Sequence, residues 1–161
     1  MLYVRDVAVS KRFYMDHLGF SVVTEAPGAA FLQAPGSDND HDLGLFEIGA
    51  AAGASTSGRG TVGLYHLAWE VETLGDLVEI STTLRDAGAL VGASDHGSTK
   101  SLYARDPDGL EFEVVWLIPA ADLTDEDLAG RDETTELQLP RELARFGADA
   151  RSGLGISRSA D

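Results

Sequence analysis

Apolar and polar positions along the chain follow two periods, and the switches between them mark the elements. A period of two marks strands at 2–4, 20–24, 30–33, 43–48, 65–71, 89–91, 101–105 and 111–117. A helical period marks 7–17, with Asp6 as N-cap, Gly19 past its end, and Val9, Phe13 and Leu18 turned to the core. A second helix spans 74–87 behind Thr73, with Asp76 in its third position. Its stripe is Leu74, Leu77, Ile80 and Leu84. Each half, about 1–49 and 64–117, therefore reads strand, helix, then three strands. The small, Gly-rich stretch 49–63 reads as a flexible linker between them or a lid edge.

Beyond Pro119 the pattern thins. Residues 120–161 hold ten acids and five arginines with few large apolar side chains. Thr124 followed by Asp127 suggests a capping box, and 137–146 suits a short helix with Pro140 at its start. The expectation is an acidic extension over 118–161. Either it is peripheral and frays after Gly147, or it packs on a partner subunit or over a cleft.

Composition narrows the function. At 161 residues and 43% hydrophobic content, the chain fits one globular domain with a tail. A net charge of -15 argues against nucleic acid and anionic membranes, which would repel it. No cysteine is present, so disulfides and thiolate chemistry are excluded. The opening MLYVRD has no signal-peptide pattern, and no apolar run is long enough to span a membrane. A cytoplasmic location is the expectation.

The chemistry concentrates between His96 and Trp116. Asp106-Pro107-Asp108-Gly109 is a tight turn. After it, Glu111 and Glu113 share a strand face opposite Phe112 and Val114. His96 and Tyr103 arrive by the preceding loop and strand. His66 and Glu113 could face one another if their strands are neighbours. Imidazole and carboxylate together suit a divalent metal, and two His with one carboxylate is the non-haem Fe(II) arrangement. The plainer alternative makes His66 a local strand-start histidine and pairs Glu113 with Arg105. Phosphate-loop, GxGxxG, GxSxG and HExxH patterns are absent.

Leu2-Tyr3-Val4-Arg5-Asp6, Phe13-Tyr14 and Leu18-Gly19-Phe20 resemble the opening of a vicinal oxygen chelate module. This superfamily includes glyoxalase I, bleomycin-resistance proteins and type I extradiol ring-cleaving dioxygenases. The resemblance covers 1–117 and implies an α+β fold of two βαβββ modules. The pieces HDLGLF, DHG, SLY and DPDGLEFE are closest to the extradiol dioxygenases. On that resemblance His66 and Glu113 are metal ligands, and His41, His96 and Tyr103 are catalytic. His41 would handle a proton, Tyr103 would hydrogen-bond a substrate oxygen, and His96 would orient the substrate or Tyr103. The implied cofactor is Fe(II), with Mn(II) as a substitute, and the implied third ligand lies upstream of residue 1. The implied partners are a catechol-like aromatic substrate and O2, with a homodimer as one way to build the cleft. Gly44 stands near the Glu that glyoxalase I would require. The other outcomes are a metal-independent, antibiotic-like binding protein, or a metal-dependent lyase or isomerase of the same superfamily.

Overall fold

The computed structural model describes residues 1–57 and 60–153. Two βαβββ modules are present, and they fall into two compact units: 1–65 with 105–111, and 66–104 with 112–153 among the described residues.

In the first unit, β1 (Leu2–Val4), α1 (Val7–Leu18), β2 (Ser21–Ala26), β3 (Ala29–Gln33) and β4 (Leu43–Glu47) follow in order. The sheet order is β1-β4-β3-β2, with β1 parallel to β4 and the remaining pairs antiparallel. Asp6 caps α1 by accepting the Ala8 and Val9 N–H groups, and Gly19 closes it at φ 71°. The buried stripe of α1 is Ser10, Tyr14 and Leu18. Val9 is exposed and Phe13 only half-buried, so the core face is rotated from the one the apolar letters predict. The reason is the Tyr14 hydroxyl, which donates to Asp106 Oδ2 at 3.3 Å inside the unit. Burial and the adjacent Asp106 charge raise the Tyr14 pKa well beyond the ordinary phenol range, so it stays a donor. Asp106 in turn shapes the expected turn. Its Oδ1 accepts the N–H groups of Asp108 and Leu110 at 2.9 Å each, and Gly109 takes φ 81°. Arg5 holds Asp108 through its backbone N–H at 3.0 Å and its guanidinium at 2.6 Å.

The second unit contains β5 (Leu67–Glu70), α2 (Leu74–Asp86), β6 (Leu90–Asp95), β7 (Thr99–Arg105) and β8 (Glu111–Leu117), the last two sharing their tip with the first unit. The sheet order β5-β8-β7-β6 repeats that of the first module, and a fifth strand, β9 (Thr135–Glu136), is added beside β6. Thr73 and Asp76 form the expected capping box of α2. Leu74, Leu77 and Leu84 are buried as predicted, with Ser81 in place of Ile80. Phe112, Val114 and Trp116 are fully buried on one face of β8, which leaves Glu111 and Glu113 on the other.

The expected loop over 92–100 is mostly strand: β6 continues to Asp95 and β7 begins at Thr99. Two charges that read as loop residues account for this. Lys100 is 2% exposed yet sits in the sheet, donating to the Gly97 carbonyl at 3.0 Å and paired with Asp95 and Glu142.

After Pro119 the chain stays on the second unit. Thr124 and Asp127 form the expected capping box of α3 (Asp125–Ala129). A 3-10 turn (Gly130–Asp132), β9 and α4 (Leu139–Phe146, with Pro140 in its first turn) follow. Residues 148–153, expected to fray, are bonded instead. Ala150 O accepts from Leu74 N and from Trp116 Nε1, both at 3.0 Å, and Gly153 N donates to Leu117 O at 3.0 Å. The remainder of the expected frayed end, 154–161, lies outside the described residues, as do 58 and 59 of the expected linker. No helix among the described residues is long and apolar enough to cross a membrane.

Candidate functional site

The second sheet gathers four of the five candidate residues on the face opposite its buried core. β5 runs parallel to β8 with Ala68 beside Glu113, so His66, two residues earlier, shares that face and leans along it. His66 Nε2 lies 3.1 Å from Glu113 Oε2. The hairpin between β7 and β8 closes with Asp106 N–H donating to Leu110 O at 3.0 Å. Counting back from that closure puts Arg105 opposite Glu111 and Tyr103 opposite Glu113. Arg105 accordingly donates to Glu111 at 2.7 and 3.2 Å, and Tyr103 OH donates to the other Glu113 oxygen at 3.3 Å. Pairing of Arg105 with Glu113, the plainer alternative, is therefore not what forms.

His96 sits where β6 turns into β7, its N–H bound to Thr99 O at 3.0 Å. Its Nε2 is 3.0 Å from Tyr103 OH. Proton counting orients this chain of contacts. A carboxylate has no proton to give, so Tyr103 must donate to Glu113. The phenol oxygen is then the acceptor for His96, which must carry its proton on Nε2.

The His66 and Glu113 side chains are 24% and 15% exposed, so they are held by the sheet but open to a small molecule. Their separation suits two neighbouring donors on one ion. Metal–ligand bonds of about 2.1 Å at a right angle put donor atoms about 3 Å apart. The pair thus fits two of the three protein donors of a 2-His-1-carboxylate site. No group of three or more His, Asp or Glu that could hold a metal occurs among the described residues.

His41 belongs to the first unit. Its Nδ1 is 2.9 Å from Asp40 Oδ2, and its ring meets Phe31 edge-on at 5.1 Å. The following Asp42 is a structural group. Its slight burial raises its pKa, but hydrogen bonds from Asn39, Ala34 N–H and Ser37 outweigh this and hold it below the ordinary value. Glu47, the acid that ends β4, accepts the Val7 N–H at 3.1 Å and so serves α1. Trp116 is core, its ring tilted against that of Phe146 with centroids 5.2 Å apart.

Two features escaped the sequence reading. One is the buried Lys100–Asp95–Glu142 cluster, and the other is Thr134, whose hydroxyl lies 3.3 Å from His96 Nδ1. Neither carries a motif. A buried lysine looks like any surface lysine, and a two-residue strand has no period to detect.

Comparison with known proteins supports the fold. The family model described as "Glyoxalase/Bleomycin resistance protein/Dioxygenase superfamily" matches residues 1–114. Biphenyl-2,3-diol 1,2-dioxygenase 3 of Rhodococcus globerulus is 36% identical over 71% of this chain and 59% of its own length. Catechol-2,3-dioxygenase of Bacillus subtilis is 30% identical over 70% of this chain and 38% of its own. The chain thus spans between about four and six tenths of the curated relatives it matches. A glyoxylase/bleomycin resistance protein/dioxygenase domain from Frankia sp. EAN1pec superposes with a TM-score of 0.58 at 25% identity, covering 70% of this chain and 84% of that one. With its two βαβββ modules and a match across both, the chain belongs to the glyoxalase/bleomycin resistance protein/dioxygenase superfamily.

Proposed function

We propose that the chain serves a non-haem Fe(II)-dependent, extradiol-type dioxygenase that cleaves a catechol-like aromatic substrate with O2. The observation that carries this is the unbroken contact from His66 through Glu113 and Tyr103 to His96. The likeness to dioxygenases named for biphenyl-2,3-diol and catechol supports the substrate class.

His66 and Glu113 are the residues that would hold the metal, and Mn(II) would accept the same donors. When bound, iron supplies Lewis acidity and a one-electron redox couple. The remaining work falls to the chain. Tyr103 presents a phenol hydroxyl beside the ligand carboxylate, and its assigned role is to hydrogen-bond a substrate oxygen. His96 fixes that hydroxyl from the far side. For His41, whose Nδ1 is engaged by Asp40, the role of proton carrier rests on the family resemblance and on the ability of an imidazole to accept a proton and return it.

The test is anaerobic loading with Fe(II) followed by oxygen uptake over a set of catechols. Uptake coupled to ring opening is expected, and His66→Ala and Glu113→Ala should lose both iron and uptake. Iron retention and uptake indifferent to both substitutions would sink the proposal. Iron binding without oxygen consumption would favour a lyase or isomerase. A tight aromatic ligand in the absence of metal would favour a binding protein.

A further inference from the structure

We propose that Thr134, carried by the C-terminal extension, is a positioning residue for His96. This rests on the reading of the His66–Glu113–Tyr103–His96 face as a reaction site. The extension lies outside the region 1–114 that defines the family, yet it supplies β9.

The register makes the placement specific. Ser94 pairs with Glu136 and Asp95 with Thr135, so the next pair in the antiparallel count is His96 with Thr134. Leu137 N–H bonding to Ala93 O at 3.5 Å continues the same count on the other side, and the Leu137 side chain is buried. A slip by one residue would turn Thr134 to the opposite face. That opposite face is occupied: Asp95 and Thr135 line a polar hollow there with buried Lys100 and Glu142. His96 and Thr134 therefore point together to the site face.

The result is a row that crosses the whole sheet in strand order. His66 just before β5, Glu113 on β8, Tyr103 on β7, His96 just after β6 and Thr134 just before β9 each touch the next. The proton count extends to the last member. With Nε2–H committed to Tyr103, the Nδ1 of a neutral His96 is an acceptor, and the Thr134 hydroxyl is the donor that matches it at 3.3 Å. Thr134 thus holds the ring plane and the tautomer that keep Tyr103 aimed at Glu113.

The experiment compares Thr134→Val, which keeps the β-branched shape and removes the donor, with Thr134→Ser, which keeps the donor. In protein labelled with 15N-histidine, His96 of the parent should show a protonated Nε2 and an Nδ1 shifted as a hydrogen-bonded acceptor. Thr134→Val should move the Nδ1 signal toward the unbonded position, and Thr134→Ser should restore it. An Nδ1–H tautomer in the parent, or an unchanged His96 signal in Thr134→Val, would overturn the proposal. Thr134→Ala serves as the donor-free variant if Thr134→Val does not fold. This readout needs neither metal nor turnover, so it stands whether or not the dioxygenase reading does. In the loaded enzyme the same loss should lower kcat about tenfold with KM little changed, again rescued by Ser.

Discussion

Tyr103 is the side chain on which the row of contacts turns. Its hydroxyl touches both His96 and Glu113, at 3.0 and 3.3 Å. Tyr103→Phe should leave the half-exposed ring in place and the protein folded, with stability changed by no more than about 1 kcal/mol. Catalysis should fall by about 10- to 100-fold while iron retention persists, because Glu113 keeps its other oxygen on His66. Unchanged turnover would remove Tyr103 from the site. Tyr14 is the contrasting case, a phenol whose work is structural. Tyr14→Phe leaves Asp106 without a partner on Oδ2 in a buried setting where its carboxyl pKa is already raised by desolvation. The expected cost is about 1–3 kcal/mol in a urea titration, with no effect on metal binding. The two tyrosines differ little as letters. Only Tyr103 stood out in the sequence, because it precedes a turn and two carboxylates on one strand face.

At the scale of elements, most boundaries were legible because both periods are strong and the caps are explicit. Asp6, Thr73 and Thr124 each accept the N–H groups that their positions predict. What failed to show was the direction of the α1 face and the length of β6. In both places the buried side chains are polar by letter: Ser10 and Tyr14 in one, and in the other Lys100 of β7, the cross-strand partner of Asp95 at the end of β6. Their burial depends on partners distant in sequence, Asp106 for Tyr14 and Glu142 for Lys100. The hairpin beyond His96 carries a further such constraint. Gly97 holds φ 72°, and a Cβ there would run into the Asp127 carbonyl oxygen and the Gly130 backbone. Gly97→Ala should therefore destabilise by more than about 1 kcal/mol, through the left-handed backbone and the collision together. It should also disturb the His96 signals. A wild-type denaturation midpoint would show that α3 does not press on this turn.

For the molecule as a whole, the pairing of halves was readable from element order, and the ligand candidates His66 and Glu113 became meaningful only once β5 and β8 were neighbours. The extension was the least legible part, since its anchors are scattered backbone hydrogen bonds and ion pairs to residues distant in sequence, which leave no period to read. Arg145 hydrogen-bonds both oxygens of Asp127 at 2.7 and 2.6 Å and holds that carboxyl far below the ordinary range. A depressed folded pKa gives stability that is complete above the unfolded value of about 4 and fades as pH falls toward the folded one. The stability gap between the parent and Asp127→Asn should thus be constant near neutrality and shrink below about pH 4. A gap independent of pH would contradict the ion pair. The two-residue strand that follows has one more consequence. Without β9, the backbone of β6 would present unpaired N–H and C=O groups along an open sheet edge, a template for another chain. A chain ended at Ile118 should accordingly self-associate with rising concentration, and a truncated chain that stays monomeric would show that the extension does not guard this edge.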